Sequence, residues 1–464
     1  MKVVIINKSD STGGAAVVSR RLMYALRDLG VDARMLVTEK RHDSPFVHLA
    51  ASPSAIKRPF LAERLKIFLA NGLNRANLFK VDTASDGLPL HRHPLVRKAD
   101  VICLNWVNQG MLSLKGVREL LRLGKPVIWT MHDMWNFTGI CHHAGTCTRW
   151  QTTCGLCPLL GKGASTQDIS FSVWNNKNTV YHPPTTSAPR LHFVAVSNWL
   201  ANLARRSPLL ATASLSVIPN AFPIPAAPTA AAAPIETAPT ASSPKSDYLS
   251  KRGASAPLPQ APTPESGYLS ERRASAPLPK FRILMGAARL DDPVKGLPIL
   301  VEATKVLKER YPDQAARMEL VTFGNIKDPA AIEGIAIAHR HLGLISGEGN
   351  IRAVYADADA VISTSLYETL PGTLVEGQVY GCIPVSFGRG GQSDIIDHLS
   401  TGYIADWDDD LHRAAANIAD GIIWASRQPA AEIRARMLAS ARARFSAPTV
   451  ATAYLRLFHS LLNK

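Results

Sequence analysis

The chain has 464 residues, 46% apolar and 19% charged, which allows the cores of two or three domains and excludes wholesale disorder. With 52 Lys and Arg against 37 Asp and Glu, the net charge of +15 points to anionic partners without choosing among nucleic acid, phosphates and an anionic membrane. No apolar run approaches the ~20 residues of a bilayer span, so any membrane attachment is expected to be peripheral.

The chain opens on Met1-Lys2-Val3-Val4-Ile5-Ile6-Asn7. This is strand-like, too short and too plain for a secretory signal, and a cytoplasmic location is expected. Ser9-Asp10-Ser11-Thr12-Gly13-Gly14 follows, then a helical run from Val17 to Leu29. Paired glycines let the backbone turn and approach a ligand, and a helix start offers free N–H groups to an anion. A tight structural turn is the competing reading, and the spacing supports neither dinucleotide nor P-loop chemistry. Between Ile56 and Val81 six basic residues face Glu63 alone, with Leu61, Leu65, Phe68 and Leu69 at helical spacing. Such a basic amphipathic helix either lies in a membrane interface or packs on a sheet.

Strands are predicted at Val3–Ile6, 33–37, Val101–Leu104, 127–130 and 192–196, alternating with amphipathic runs as in βα units around a parallel sheet. After the fourth comes Thr130-Met131-His132-Asp133-Met134-Trp135, then Cys141, Cys147, Cys154 and Cys157. Four soft ligands ending in Cys-x-x-Cys suit a structural Zn²⁺ in a reducing compartment, with an Fe–S cluster or unliganded thiols as alternatives. A closed four-cysteine site has no open position, so it is not expected to catalyse. Cys103 and Cys382 read as small buried residues.

Residues 223–279 hold 12 of the chain's 32 prolines with alanine and serine tracts, and read as a disordered interdomain insertion. Tyr248–Pro259 is echoed at Tyr268–Pro279, where Arg272-Arg273-Ala274-Ser275 resembles a kinase site; a duplicated spacer is the plainer reading. The insertion separates domains at 1–222 and 280–464. The second repeats the βα pattern, with strands predicted at 282–285, 318–322, around 341–342, at Ala360–Ser363 and at 383–386. Arg289 and Lys295 stand six apart on a loop, able to converge on a diphosphate. Glu368 and Glu376 flank Pro371-Gly372, which starts a helix near Thr373 and exposes the N–H groups of Gly372, Thr373 and Leu374.

In order and spacing, Gly13-Gly14, Val217-Ile218-Pro219-Asn220, Arg289 with Lys295, and Glu368-x7-Glu376 resemble the retaining GT-B glycosyltransferases of the family 4 type. The stretch from Thr130 to Gly139 with its cysteines is similar to a subset acting in exopolysaccharide or colanic-acid-type synthesis. The resemblance implies two Rossmann-like doubly wound domains facing across a cleft, a nucleotide-diphosphate sugar donor, and a glycan or polyprenyl-diphosphate-linked acceptor at the inner membrane surface. It implies that Glu368 contacts the donor sugar, Glu376 the ribose hydroxyls, Arg289 and Lys295 the diphosphate, Gly13 and Gly14 the phosphates or the acceptor, and His132 the donor sugar or the transferring centre, a hydrogen-bonded structural histidine beside Trp135 being the competing reading. It also implies front-face substitution with no catalytic metal. Thr369-Leu370-Pro371-Gly372 stands where relatives often carry Gly-Phe-Gly, so the sugar pocket is expected to differ. An epimerase or a phosphorylase on the same scaffold is the alternative enzyme. Nucleic-acid binding has only the net charge in its favour, with no helix-turn-helix or zinc-finger spacing.

Overall fold

The computed structural model describes residues 1–183, 191–224 and 280–463. From residue 225 onward the expected linker and its duplicated segment lie outside the described residues.

Seven strands, β1 Lys2–Ile6, β2 Asp32–Val37, β3 Val47–Leu49, β4 Val101–Leu104, β5 Val127–Met131, β6 Leu191–Ala195 and β7 Leu215–Val217, form one sheet in the order β3-β2-β1-β4-β5-β6-β7. Six more, β8 Phe281–Arg289, β9 Met318–Asn325, β10 Ala338–His341, β11 Ala360–Ser363, β12 Ile383–Phe387 and β13 Tyr403–Ala405, form a second in the order β10-β9-β8-β11-β12-β13. Neighbouring strands pair in parallel in both sheets. The expected α/β architecture of two doubly wound domains is therefore present. Val101-Ile102-Cys103-Leu104 and Val127–Met131 are buried throughout because helices cover both faces, which is why they read as unbroken apolar runs. The strands that sequence reading missed, β3, β7 and β13, are three residues each and lie at sheet edges. At three residues with one neighbour each, they are too short to carry a periodic apolar signal.

The second domain as bounded at 280–464 needs one correction. Its last helix, Ala447–Leu462, crosses back to the first domain, where Val450, Ala451, Tyr454 and Phe458 share a core with Val3, Ile5, Leu22 and Met23. The Tyr454 hydroxyl meets Thr130 Oγ1 at 2.9 Å, and beside the crossing the Phe222 N–H donates to the Phe445 carbonyl at 2.9 Å. Amphipathic periodicity predicts that a helix will be covered, not by which domain.

Strand order reverses between β1 and β4 in the first sheet and between β8 and β11 in the second. Loops leaving neighbouring strands in opposite directions open a crevice at their carboxyl ends, the usual ligand position in open α/β sheets. Among the described residues no helix is long and apolar enough to cross a membrane.

Candidate active site

The two crevices face one another across a cleft of about 940 Å³, within the range of small-molecule sites. On the first domain the loop after β1 ends at Gly13, whose φ of 87° lies in the left-handed region that favours glycine. Gly13 caps the helix Gly14–Asp28, which has no acidic side chain in its first turn. Its N-terminus, Gly13 to Val17, lines the cleft as an uncompensated positive dipole end.

On the second domain, Asp292 accepts the Val294 N–H at 3.1 Å and starts the turn Pro293–Lys295. Gly296 follows with φ 65°, so close to β11 that a Cβ there would stand 2.2 Å from the Thr364 carbonyl oxygen. Thr364 Oγ1 in turn donates to the Lys295 carbonyl at 2.9 Å. Lys295 is thus held at the cleft wall, with Nζ 2.5 Å from Glu368 Oε1. The Glu368 backbone lies flat on Gly390 and Gly391: a Cβ at Gly390 would come within 2.1 Å of its carbonyl oxygen, which accepts the Gly391 N–H at 2.8 Å. Pro371 then caps the helix Gly372–Tyr380, whose first residues Gly372 and Thr373 line the cleft. Glu376, one turn along, is reached from the first domain by Arg21, with Nη2 to Oε1 at 3.0 Å. Burial raises the Glu376 pKa and the Arg21 guanidinium opposes that rise.

His132 leaves the end of β5 and lines the cleft, with Nε2 2.9 Å from Asn105 Oδ1. Burial lowers its pKa to about 4, so the imidazole is neutral. Its carbonyl accepts the Thr369 hydroxyl of the other domain at 3.1 Å, tying the two candidate loops together. Asp133 also faces the cleft and is saturated: Oδ1 accepts the Trp135 N–H at 2.8 Å, while Oδ2 accepts the Trp106 indole at 3.0 Å and meets His142 Nδ1 at 2.6 Å. His142 Nε2 meets Asp82 Oδ2 at 2.6 Å. Burial alone would lower the His142 pKa, but the flanking carboxylates Asp133 and Asp82 raise it to about 10. Burial would likewise raise Asp133, yet cationic His142 holds it at about 2. His143 lies in the cleft against Tyr367, ring centroids 4.7 Å apart.

Residues 270–444 match the family model described as glycosyl transferases group 1. A relative from Escherichia coli K12, WcaC, whose name assigns it to glycosyl transfer in colanic acid biosynthesis, is 26% identical over 170 residues. That match spans 34% of this chain and 40% of the relative, less than half of either. Among solved structures, HepE of Anabaena in complex with UDP and glucose superposes with a TM-score of 0.56 at 15% identity, covering 99% of this chain and 100% of that one. Sucrose-phosphate synthase of Thermosynechococcus elongatus gives a TM-score of 0.55 at 14% identity over 100% and 99%. The fold is GT-B.

Of the residues expected around a donor, the GT-B cleft brings together Gly13, Gly14, His132, Lys295, Glu368, Gly372, Thr373 and Glu376. Two others are corrections. Arg289 does not line the cleft: its Nε lies 3.1 Å from Asp291 Oδ1, beyond a register shift in β8 that spacing alone does not reveal. Leu374 packs fully buried in the core and its N–H donates to the Pro371 carbonyl at 3.1 Å, so no free amide remains there. Sequence reading missed Arg21, Asp133 and Tyr367 and ranked His143 below His132, since the direction of its side chain is not readable from the chain; all four enter the cleft through tertiary placement. For Asp133 and His143, proximity to His132 and to the cysteine loop was the available signal.

Cys141, Cys147, Cys154 and Cys157 line one small cavity of about 50 Å³ behind this wall, all as free thiols. The Gly139 N–H points at Cys154 Sγ at 3.1 Å. Burial raises the thiol pKa to about 12 at Cys141 and about 11 at Cys154. Among the described residues no three His, Cys, Asp or Glu side chains are grouped as an ion would require.

Proposed function

We propose that the protein is a retaining glycosyltransferase that moves a sugar from a nucleotide-diphosphate donor to a glycan or polyprenyl-diphosphate-linked acceptor in exopolysaccharide synthesis, at the inner face of the membrane. One observation carries the reading: Lys295, Glu368 and Glu376 of one domain converge on the cleft that the Gly13–Gly14 helix start enters from the other. The match to the group 1 glycosyl transferase model and the colanic acid relative support it.

In this reading each carboxylate accepts paired hydrogen bonds from a vicinal diol, Glu368 from the sugar and Glu376 from the ribose. Lys295, the amides of Gly372 and Thr373 and the N-terminus of Gly14–Asp28 meet the charge that grows on the leaving diphosphate, with no metal ion needed for that task. The acceptor oxygen bonds the anomeric carbon as the bond from that carbon to the diphosphate oxygen breaks on the same face. The departing oxygen takes the acceptor's proton. Neutral His132 is suited to hydrogen-bond a sugar hydroxyl rather than to supply charge.

A structural Zn²⁺ on Cys141, Cys147, Cys154 and Cys157 would act indirectly, by pinning the loop that carries His142 and His143. The cavity the four cysteines share supports it. Elemental analysis of purified protein at one zinc per chain is the expected result, and no bound metal refutes it.

Thermal melts with UDP, GDP, ADP and their sugars test the main reading, because a ligand of the folded state raises its stability by mass action. One nucleotide should raise the melting temperature, and its sugar should be transferred with the anomeric configuration kept. No shift with any of them at millimolar concentration overturns the proposal.

A further inference from the structure

The helix Pro53–Ala70 is turned the opposite way from an ordinary surface helix. Two of its five charged residues, Glu63 and Arg64, are buried together with Ile67, whereas Leu61, Leu65 and Leu69, spaced by four, are 51%, 57% and 56% exposed. The inversion has a local cause. Glu63 Oε1 accepts the N–H groups of Thr83 and Ala84 at 2.8 and 2.7 Å and the Thr83 hydroxyl at 3.1 Å. Arg64 donates to the carbonyls of Leu78 and Val81 and pairs with Asp82. These bonds fix the polar face inward and force the leucines out.

Past the helix the apolar stripe continues through Leu73 and Phe79, 65% and 61% exposed. Lys57, Arg58, Lys66, Arg75 and Lys80 are exposed around it, Lys66 is paired with Asp86 at 2.6 Å, and between residues 52 and 81 the sole acidic side chain, Glu63, is buried. A set of large exposed apolar side chains calls for a covering partner, and a mainly basic rim selects it. The patch also adjoins the cleft. Phe60 of this helix packs its backbone on Gly110, and its ring lies 5.4 Å from Nζ of Lys8, which lines the cleft with Gln109.

We infer that this helix and the loop to Phe79 form a docking surface for an anionic lipid bilayer, with the leucines and Phe79 entering the interface and the basic rim meeting the headgroups. Docked in this way, the Lys8–Gln109 wall of the cleft lies beside the bilayer, where a lipid-linked acceptor is presented. The inference deepens the acceptor side of the proposed function, but vesicle binding needs no sugar, so the two stand or fall separately.

The test is co-flotation of the full chain with vesicles of phosphatidylglycerol and phosphatidylethanolamine, compared with phosphatidylcholine alone, at low and high salt. Wild-type protein should float with the anionic vesicles and bind phosphatidylcholine at least tenfold less. High salt should weaken flotation. The double variant Leu65→Glu/Leu69→Glu should lose at least tenfold in vesicle binding while keeping its melting temperature and its nucleotide-induced shift. If that variant is unstable, Phe79→Trp supplies a second readout: the emission it adds over wild type should move to the blue on addition of anionic vesicles. No flotation by wild type, equal flotation by the double variant, or an unmoved added emission in Phe79→Trp would each overturn the inference. So would a vesicle-independent dimer in sedimentation that the double variant abolishes, which would assign the surface to a second copy of the chain.

Discussion

Arg21 and Glu376 form an ion pair at 3.0 Å although they belong to different domains. The same guanidinium lies over the Phe222 ring at 5.2 Å, next to where the chain leaves the first domain. Burial raises the Glu376 pKa, and the Arg21 charge and hydrogen bond oppose that rise. Removing Arg21 leaves only the Tyr355 hydroxyl's hydrogen bond to oppose burial, and the Glu376 pKa rises further. In Arg21→Ala, nucleoside-diphosphate affinity should become more pH-dependent than in wild type, falling severalfold more steeply from pH 8 to pH 6. Calorimetric titration at the two pH values checks this, and small-angle scattering should show a larger radius of gyration for the ligand-free variant.

Lys295 and Arg289 are equal candidates by spacing, and the fold separates them. Lys295→Ala removes a cation that touches Glu368 in the cleft, so kcat should fall by about 10²-fold, the usual order for one electrostatic donor. Arg289→Ala should stay within about threefold of wild type, because its guanidinium is on Asp291. Glu368→Gln should abolish transfer and preserve the melting temperature. A steady-state series with the donor identified by thermal melts decides all three.

The carboxylate–imidazolium–carboxylate chain of Asp133, His142 and Asp82 predicts how stability follows pH. The folded pKa of His142 is raised to about 10 from an ordinary 6.5, so its contribution is complete below about pH 6.5 and is lost as pH rises toward 10. Asp133 is depressed to about 2 from 3.8, so its contribution is complete above about pH 4 and disappears as pH falls toward 2. Urea unfolding of wild type should therefore weaken at both ends. His142→Gln should flatten the alkaline side, and an unchanged alkaline slope would refute the assignment.

Lys177 is fully buried in the helix Ile169–Tyr181, and its ammonium donates to the carbonyls of Trp135, Thr138 and Gly139 beneath the cysteine loop. Burial lowers its pKa to about 7. Lys177→Met strands three carbonyls and should destabilise the protein by roughly 3 kcal/mol, read from denaturant midpoints at unchanged m-value. A loss below ~1 kcal/mol would mean that the loop re-forms its bonds without the lysine.

The sequence by itself determined the alternation of strands and helices, the two α/β units, and many of the residues that line the cleft. Buried parallel strands must be apolar throughout, and the turns at Gly13 and Pro371-Gly372 need particular residue types. It did not determine the short edge strands β3, β7 and β13, three residues each and too short for a periodic pattern, or that Ala447–Leu462 closes the first domain. Only the tertiary structure decided that Lys295 faces the cleft while Arg289 turns to Asp291, because a register shift in β8 intervenes. It alone brought Arg21 to Glu376 across 355 positions, and it turned Leu61, Leu65 and Leu69 outward. Helical spacing defines that the three leucines share a face. Which way the face points was set by bonds from Glu63 and Arg64 to residues about twenty positions away, and such long-range competition for a polar partner leaves no periodic trace in the chain.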